Sequence, residues 1–130
     1  MPIFRPLPEK PLRIVHNDTT VVPANSDAPK ATLFTVPLGR KYTVVAVGTD
    51  QNAAAVDLLV LTVLAGAQTS PSGAAQVVVD MPTNRLPTDE RLVPLYEVLL
   101  SGSQLVVGIR NGTGGGLTPQ LTAFYTDEPA

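Results

Sequence analysis

Two runs near the C-terminal end, Leu95-Tyr96-Glu97-Val98-Leu99-Leu100 and Gln104-Leu105-Val106-Val107-Gly108-Ile109-Arg110, are separated by Ser101-Gly102-Ser103. In the second run Leu105, Val107 and Ile109 fall on one face and Val106, Gly108 and Arg110 on the other. That period of two marks a strand with one buried side. Glycine between two serines favours a turn over continued strand. The same punctuation recurs at Asn17-Asp18, at Pro37-Leu38-Gly39 and in the run Asn111 to Gly116. Between these breaks the expected strands are Leu12–His16, Thr20–Val22, Ala31–Val36, Lys41–Thr49, Val56–Leu64, Gln76–Met81, Leu95–Leu100, Gln104–Arg110 and Gln120–Thr126. So many short strands and no amphipathic helix imply an all-β chain: a two-sheet antiparallel β-sandwich, of the jelly-roll kind.

The run Val56 to Leu64 is apolar on both faces. Leucine is a good helix former, so a helix competes, but the β-branched residues and the surrounding strand pattern favour a strand. As a strand it needs its second face covered by an arm, a loop or another subunit, and contact in an oligomer is the expected answer. The polar stretch Pro82–Pro94 reads as a long connection passing from one sheet to the other, with a helical turn starting at Thr88.

Residues 1–11 hold four of the thirteen prolines, Pro2, Pro6, Pro8 and Pro11. Proline fixes φ and donates no backbone hydrogen bond, so an extended Pro-rich N-terminal arm is expected, followed by a single β-sandwich domain over 12–130. Ile3, Phe4, Arg5 and Leu7 are the arm's candidate partner-contact residues. The arm either lies on its own domain or reaches a neighbouring subunit.

Composition removes several function classes. Hydrophobic residues make up 44% of the chain and charged ones 15%, against an average charged fraction of about 25%. Such a chain folds, and partners are expected to cover part of its surface. With no cysteine, disulfides, thiolate metal sites and cysteine nucleophiles are excluded. The net charge is −2, and the nine basic residues are scattered, with Arg40–Lys41 the nearest pair. No basic stripe offers itself to phosphates, so no nucleic-acid partner is expected. The longest apolar stretch, Leu58 to Ala67, is broken by Thr62 and is too short to cross a bilayer. The N-terminus lacks the apolar run of a signal peptide. Synthesis in the cytoplasm and no membrane partner are the expectation.

No constellation for catalysis stands out. His16 is the only histidine and has no nucleophile and acid at a suggestive spacing, so it reads as structural or exposed. Asp50, Asp57, Asp80, Asp89, Glu90 and Glu97 fall mostly in turns or at strand ends, where solvated acids are ordinary. No D-x-[DN]-x-[DN]-G calcium pattern occurs. The glycines at 112–116 precede a strand and no Lys-Ser/Thr pair, so they form a flexible hairpin loop rather than a phosphate cradle. Asn17-Asp18-Thr19 and Asn111-Gly112-Thr113 match the glycosylation pattern by chance. Among the aromatics, Phe34 and Tyr42 are expected in the core. Tyr96, Phe124 and Tyr125 would make a sugar platform only if two of them share a surface. No enzyme, cofactor or metal is expected.

One resemblance adds to this reading. Phe34-Thr35-Val36-Pro37-Leu38-Gly39-Arg40-Lys41-Tyr42-Thr43-Val44 resembles the F-T-V-P-x-G-K-x-Y-T-V opening of small β-sandwich virion proteins of tailed bacteriophages. Leu95 to Val107 is similar to their L-x-L-x-x-G-D-x-L-x-V hairpin, and Leu121-Thr122-Ala123-Phe124-Tyr125 resembles their last strand. Ser103 stands where many relatives carry an acid. The match spans about residues 31–126, a pattern of strands and turns that carries no binding residues over. It implies a head decoration (cement) protein on the outer surface of the capsid, made in the host cytoplasm. The implied partners are the major capsid protein and copies of itself, as dimer or trimer. The alternative is a receptor- or carbohydrate-binding module of a phage tail or fibre.

Overall fold

The structure is a computed structural model that describes residues 11–51, 59–67, 76–86 and 92–130. Among them are eight strands: β1 (Leu12–Asn17), β2 (Ala31–Thr35), β3 (Arg40–Thr49), β4 (Leu59–Ala67), β5 (Gln76–Pro82), β6 (Leu92–Leu99), β7 (Ser103–Asn111) and β8 (Leu121–Pro129). They form two antiparallel sheets, a first in the order β1-β8-β3-β6 and a second in the order β2-β7-β4-β5. The chain is an all-β sandwich, as its pattern predicts.

The pairing is nested: β1 with β8, β2 with β7, β3 with β6 and β4 with β5. The first and last strands lie together, and the ribbon wraps inward from there. As a result every connection except β4 to β5 passes from one sheet to the other. This corrects two sequence expectations. Ser101-Gly102-Ser103 does not close a hairpin, because β6 and β7 belong to different sheets, and the same holds for the glycine run between β7 and β8. Local turn chemistry is blind to that difference, since a short turn serves an arch between sheets as well as a hairpin within one.

The arch at Pro37–Gly39 and the arch at Ser101–Gly102 lock side by side. Val36 N–H donates to Ser103 O at 2.8 Å, and Gly102 N–H to Val36 O at 2.9 Å. The Ser101 hydroxyl donates to Arg40 O at 2.8 Å and accepts from Gly39 N–H at 3.1 Å. Gly39 and Gly102 hold φ of 80° and 86°, a backbone region where a Cβ is penalised.

Between the sheets lies one core. Val44 and Val47 on β3, Leu61 and Val63 on β4, Leu105, Val107 and Ile109 on β7, and Leu121 and Ala123 on β8 have no exposed surface. The alternation read in β7 therefore aims as expected. The doubly apolar run is also a strand, described over Leu59–Ala67 and extending past the expected end at Leu64; residues 56–58 lie outside the described residues. Part of its second face is buried within the chain itself. Val60 and Thr62 are buried, and Asp27 and Lys30 from the β1–β2 connection line the same recess as Thr62 and Leu64. Lys30 lies so close over Gly108 that a Cβ there would stand 2.5 Å from Lys30 Cγ and 3.3 Å from its Cα.

That connection is held by residues that looked like turn filler. Thr20–Val22 is not a strand; only Val22 bridges, to Leu117, while Ser26 bridges to Asn111. Asn111 is 1% exposed. Its Nδ2 donates to Gly115 O at 2.8 Å, Pro23 O at 3.1 Å and Val22 O at 3.4 Å. Its Oδ1 accepts from Thr113 N–H at 2.9 Å and from the Thr113 hydroxyl. The loop after β7 is thus pinned, not the free hairpin tip expected from its glycines. Both Asn-x-Thr triplets have the same explanation, because Asn17 Oδ1 likewise accepts from Thr19 and Thr20 N–H at 3.3 Å. These are Asx turns, in which the side chain mimics a backbone carbonyl.

The connection Pro82–Pro94 does cross between sheets. Its helical turn sits at Thr83–Arg85, and Thr88 lies outside the described residues. β6 starts at Leu92, earlier than expected, because an edge strand tolerates Pro94. Residues 1–10 of the arm, including Ile3, Phe4, Arg5 and Leu7, also lie outside the described residues.

Two substitutions test this packing in urea denaturation. Asn111→Ala strands buried carbonyls and is expected to cost about 2 kcal/mol or more, with Asn111→Asp no better because it lacks the donor. Gly108→Ala forces Lys30 and its backbone outward and is expected to cost about 1–3 kcal/mol.

Candidate functional site

The outer face of the first sheet carries an irregularity that runs across three strands. Val44 pairs with Tyr125 and Glu97, and Ala46 pairs with Phe124 and Pro94. Between those two levels β8 has no residue, β3 has Val45, and β6 has Leu95 and Tyr96. Each added residue lengthens one strand relative to its neighbour, which bends the sheet and re-aims side chains. Tyr96 takes φ of 50°, a conformation that costs a non-glycine residue about 1–2 kcal/mol.

The bend opens a groove of about 290 Å³ lined by Leu12, Val45, Ala46, Leu92, Pro94, Tyr96 and Phe124. None of these side chains is charged, and the Tyr96 hydroxyl is the lone polar group among them. Tyr96 is 71% exposed and Leu12 54%. Ile14, opposite Phe124 in the ladder, and Val98, opposite Thr43, extend the apolar surface on the same face. The adjoining edge is poor for adding a further strand: Pro94 has no N–H to donate, and the left-handed Tyr96 interrupts the extended backbone. The arrangement favours contact through the face over contact through the edge.

The expected aromatic assignments divide. Phe34 and Tyr42 belong with the core cluster, and Tyr125 joins them from the inner face. Tyr42 and Tyr125 stack at 4.7 Å between centroids, and Phe34 lies 5.1 Å from Tyr42 and 5.0 Å from Tyr125. Beside them the Asp127 carboxylate takes Arg40 Nε at 2.7 Å and Arg13 Nη1 at 3.5 Å. Burial, with the Asp127 charge adding to it, raises the Tyr42 pKa above its ordinary value. Tyr96 and Phe124 do share a surface, the groove, as a sugar platform would require.

The remaining candidates lie on different strands and loops. His16 is exposed on β1, an edge strand. Asp50 Oδ1 accepts from Gln120 N–H at 2.8 Å and from Gln51 Nε2 at 3.1 Å, tying two loops together. Asp80 and Glu97 line one cleft of about 580 Å³ beside β5 and β6, with Val79, Met81, Val93, Pro94 and Leu95. Asp80 accepts the Thr62 hydroxyl at 3.2 Å. Glu97 lies on the edge strand opposite the one that carries His16. Asp57, Asp89 and Glu90 lie outside the described residues. Among the described residues no three histidine or carboxylate side chains are grouped to hold a metal, and no helix is long and apolar enough to cross a membrane.

Sequence reasoning missed the groove. The available signal was Val44-Val45-Ala46-Val47, an apolar run that breaks the period of two, facing a strand that contains proline.

No family model matches the chain, and no curated protein matches it. Among solved structures it is similar to a pentameric capsid protein isolated from metagenomic phage sequences, at 12% identity and a TM-score of 0.37. The alignment covers 88% of this chain and spans 61% of that protein. At that level the likeness carries no argument about fold or role.

Two measurements address the site. If Tyr96 holds strained backbone, Tyr96→Gly melts at or above the parent, while the β-branched Tyr96→Val melts below it; the reverse order would exclude the strain. Because the folded state keeps the Tyr42 proton more tightly than the unfolded chain does, stability falls as pH rises above about 10. Tyr42→Phe is expected to lessen that alkaline loss in urea melts.

Proposed function

We propose that this chain is a non-enzymatic structural protein of a bacteriophage virion, of the decoration or cement type. In this reading it sits on the outer capsid surface and binds across neighbouring major capsid subunits and copies of itself. The observation that carries the reading is the apolar, uncharged groove on the outer face of the first sheet, with Ile14 and Val98 extending it. Exposed apolar surface of this kind is what a chain that works by contact leaves uncovered. The nested strand order supports it, since it is that of a double-sheet jelly roll, an architecture used by viral capsid domains. Lectins and cupins share that architecture, so the surface rather than the fold must supply the role. The two stretches that resemble phage virion proteins most fully are the two that lock together at Val36 and Gly102.

Weak contacts repeated over a shell stabilise it through multivalency. Arm residues Ile3, Phe4, Arg5 and Leu7 add a second contact in this reading, and prolines lessen the entropy lost when such a segment docks.

One observation favours a second reading, a carbohydrate- or receptor-binding module of a tail or fibre: Tyr96 and Phe124 share the groove. Sugar hydroxyls, however, need hydrogen-bonding side chains, and the groove offers only the Tyr96 hydroxyl. The two readings separate on purified particles. Densitometry is expected to show copies comparable in number with the major capsid protein, whereas a fibre-tip module would appear in a handful. Deleting residues 1–11 is expected to lower occupancy on the capsid, and unchanged occupancy would remove the arm from the account.

A further inference from the structure

We infer that the groove formed by Leu12, Val45, Ala46, Pro94, Tyr96 and Phe124 receives the proline-rich N-terminal arm of a second copy of this chain. The inference names the partner within the contact reading above and rests on that reading's premise that the apolar face is an interface.

Chemistry is the first argument. A groove lined by apolar side chains penalises any backbone N–H brought into it without a partner. The arm Met1-Pro2-Ile3-Phe4-Arg5-Pro6-Leu7-Pro8 replaces that donor with a ring at three positions. It also supplies Ile3, Phe4 and Leu7 for the groove to bury. At about 290 Å³ the groove lies near the lower limit of ligand pockets, about 300 Å³, a size suited to a few side chains rather than a cofactor.

Connectivity is the second. Leu12, where β1 begins, is itself a wall of the groove, so each arm is rooted at the rim of one groove. Pro11, the residue just before β1, has its φ fixed by its ring, and a stiff root of that kind disfavours a tight reversal of the arm into the groove beside it. Ten residues at about 3.1 Å each reach about 30 Å, roughly the diameter of a small domain and enough to meet the next copy.

The third is the edge. Pro94 and the left-handed Tyr96 blunt β6 against strand addition, so on this side of the first sheet the face is better suited than the edge to receive another copy.

The chain has no cysteine, so a test by engineered thiols is clean. Full-length Phe4→Cys protein is mixed with full-length Leu92→Cys protein and oxidised, with Val77→Cys, exposed on the other sheet, in place of the groove variant as control. Covalent dimer joining arm copy to groove copy is expected to form about tenfold faster than with the control, because docking raises the local thiol concentration. Equal rates overturn the inference. So does the double variant Phe4→Cys/Leu92→Cys if it closes on itself as a monomeric disulfide at every dilution, for the arm then occupies its own groove. A chain that exchanges arms in this assay yet is absent from purified particles upholds the exchange and refutes the virion role.

Discussion

Everything in this molecule depends on burying two strand pairs against each other, β3 and β8 from the first sheet against β4 and β7 from the second. Among the described residues, the apolar side chains with no exposed surface within strands all come from these four. Their burial is the main favourable term available to a chain with no disulfide. Because the four are scattered along the sequence, the chain must pass repeatedly between layers to assemble them, and nearly every connection is an arch. The arches in turn need anchoring, which the Val36–Ser103 and Val36–Gly102 hydrogen bonds and the buried Asn111 supply.

With the centre of the sandwich so constrained, irregularity is tolerated at its margins. The stepped row across β8, β3 and β6 grows toward the edge strand, where the ladder has one neighbour and an extra residue disrupts least. Beside the register shift the exposed Tyr96 and the half-buried Phe124 line one groove with Val45 and Ala46. The strained Tyr96 is held by the surrounding pairing, as residues in sparsely populated backbone regions must be. Strain, apolar lining and a blunted edge coincide at one place.

Much of the fold was legible because alternation is a local property. Leu105, Val107 and Ile109 announce an inward face by spacing alone, and the doubly apolar run Val56 to Leu64 announces a strand that needs cover on both faces. The same run also shows how far local reading goes: its outer face demanded cover, and the chain's own β1–β2 connection contributes to it, with Lys30 and Asp27 lining the recess beside Thr62 and Leu64. The Asn-x-Thr triplets were equally ambiguous, since an Asx turn and a modification signal share one spelling. The aromatic residues divided by register, with Tyr125 inward and Phe124 outward one position apart, and the bulge beside them decided which neighbours each would meet.

By itself the sequence determined the class of fold, the absence of cysteine and so of disulfides and thiolate ligands, and the strands that would be buried, since composition and a period of two are readable from neighbouring residues. The tertiary structure alone decided which turns are arches, which loops are pinned, and where apolar surface would gather outside the core. Those outcomes depend on pairings between residues far apart in the chain, such as Val44 with Tyr125 or Ser26 with Asn111. A strand's pattern says which face it hides, but not beside which strand it will lie.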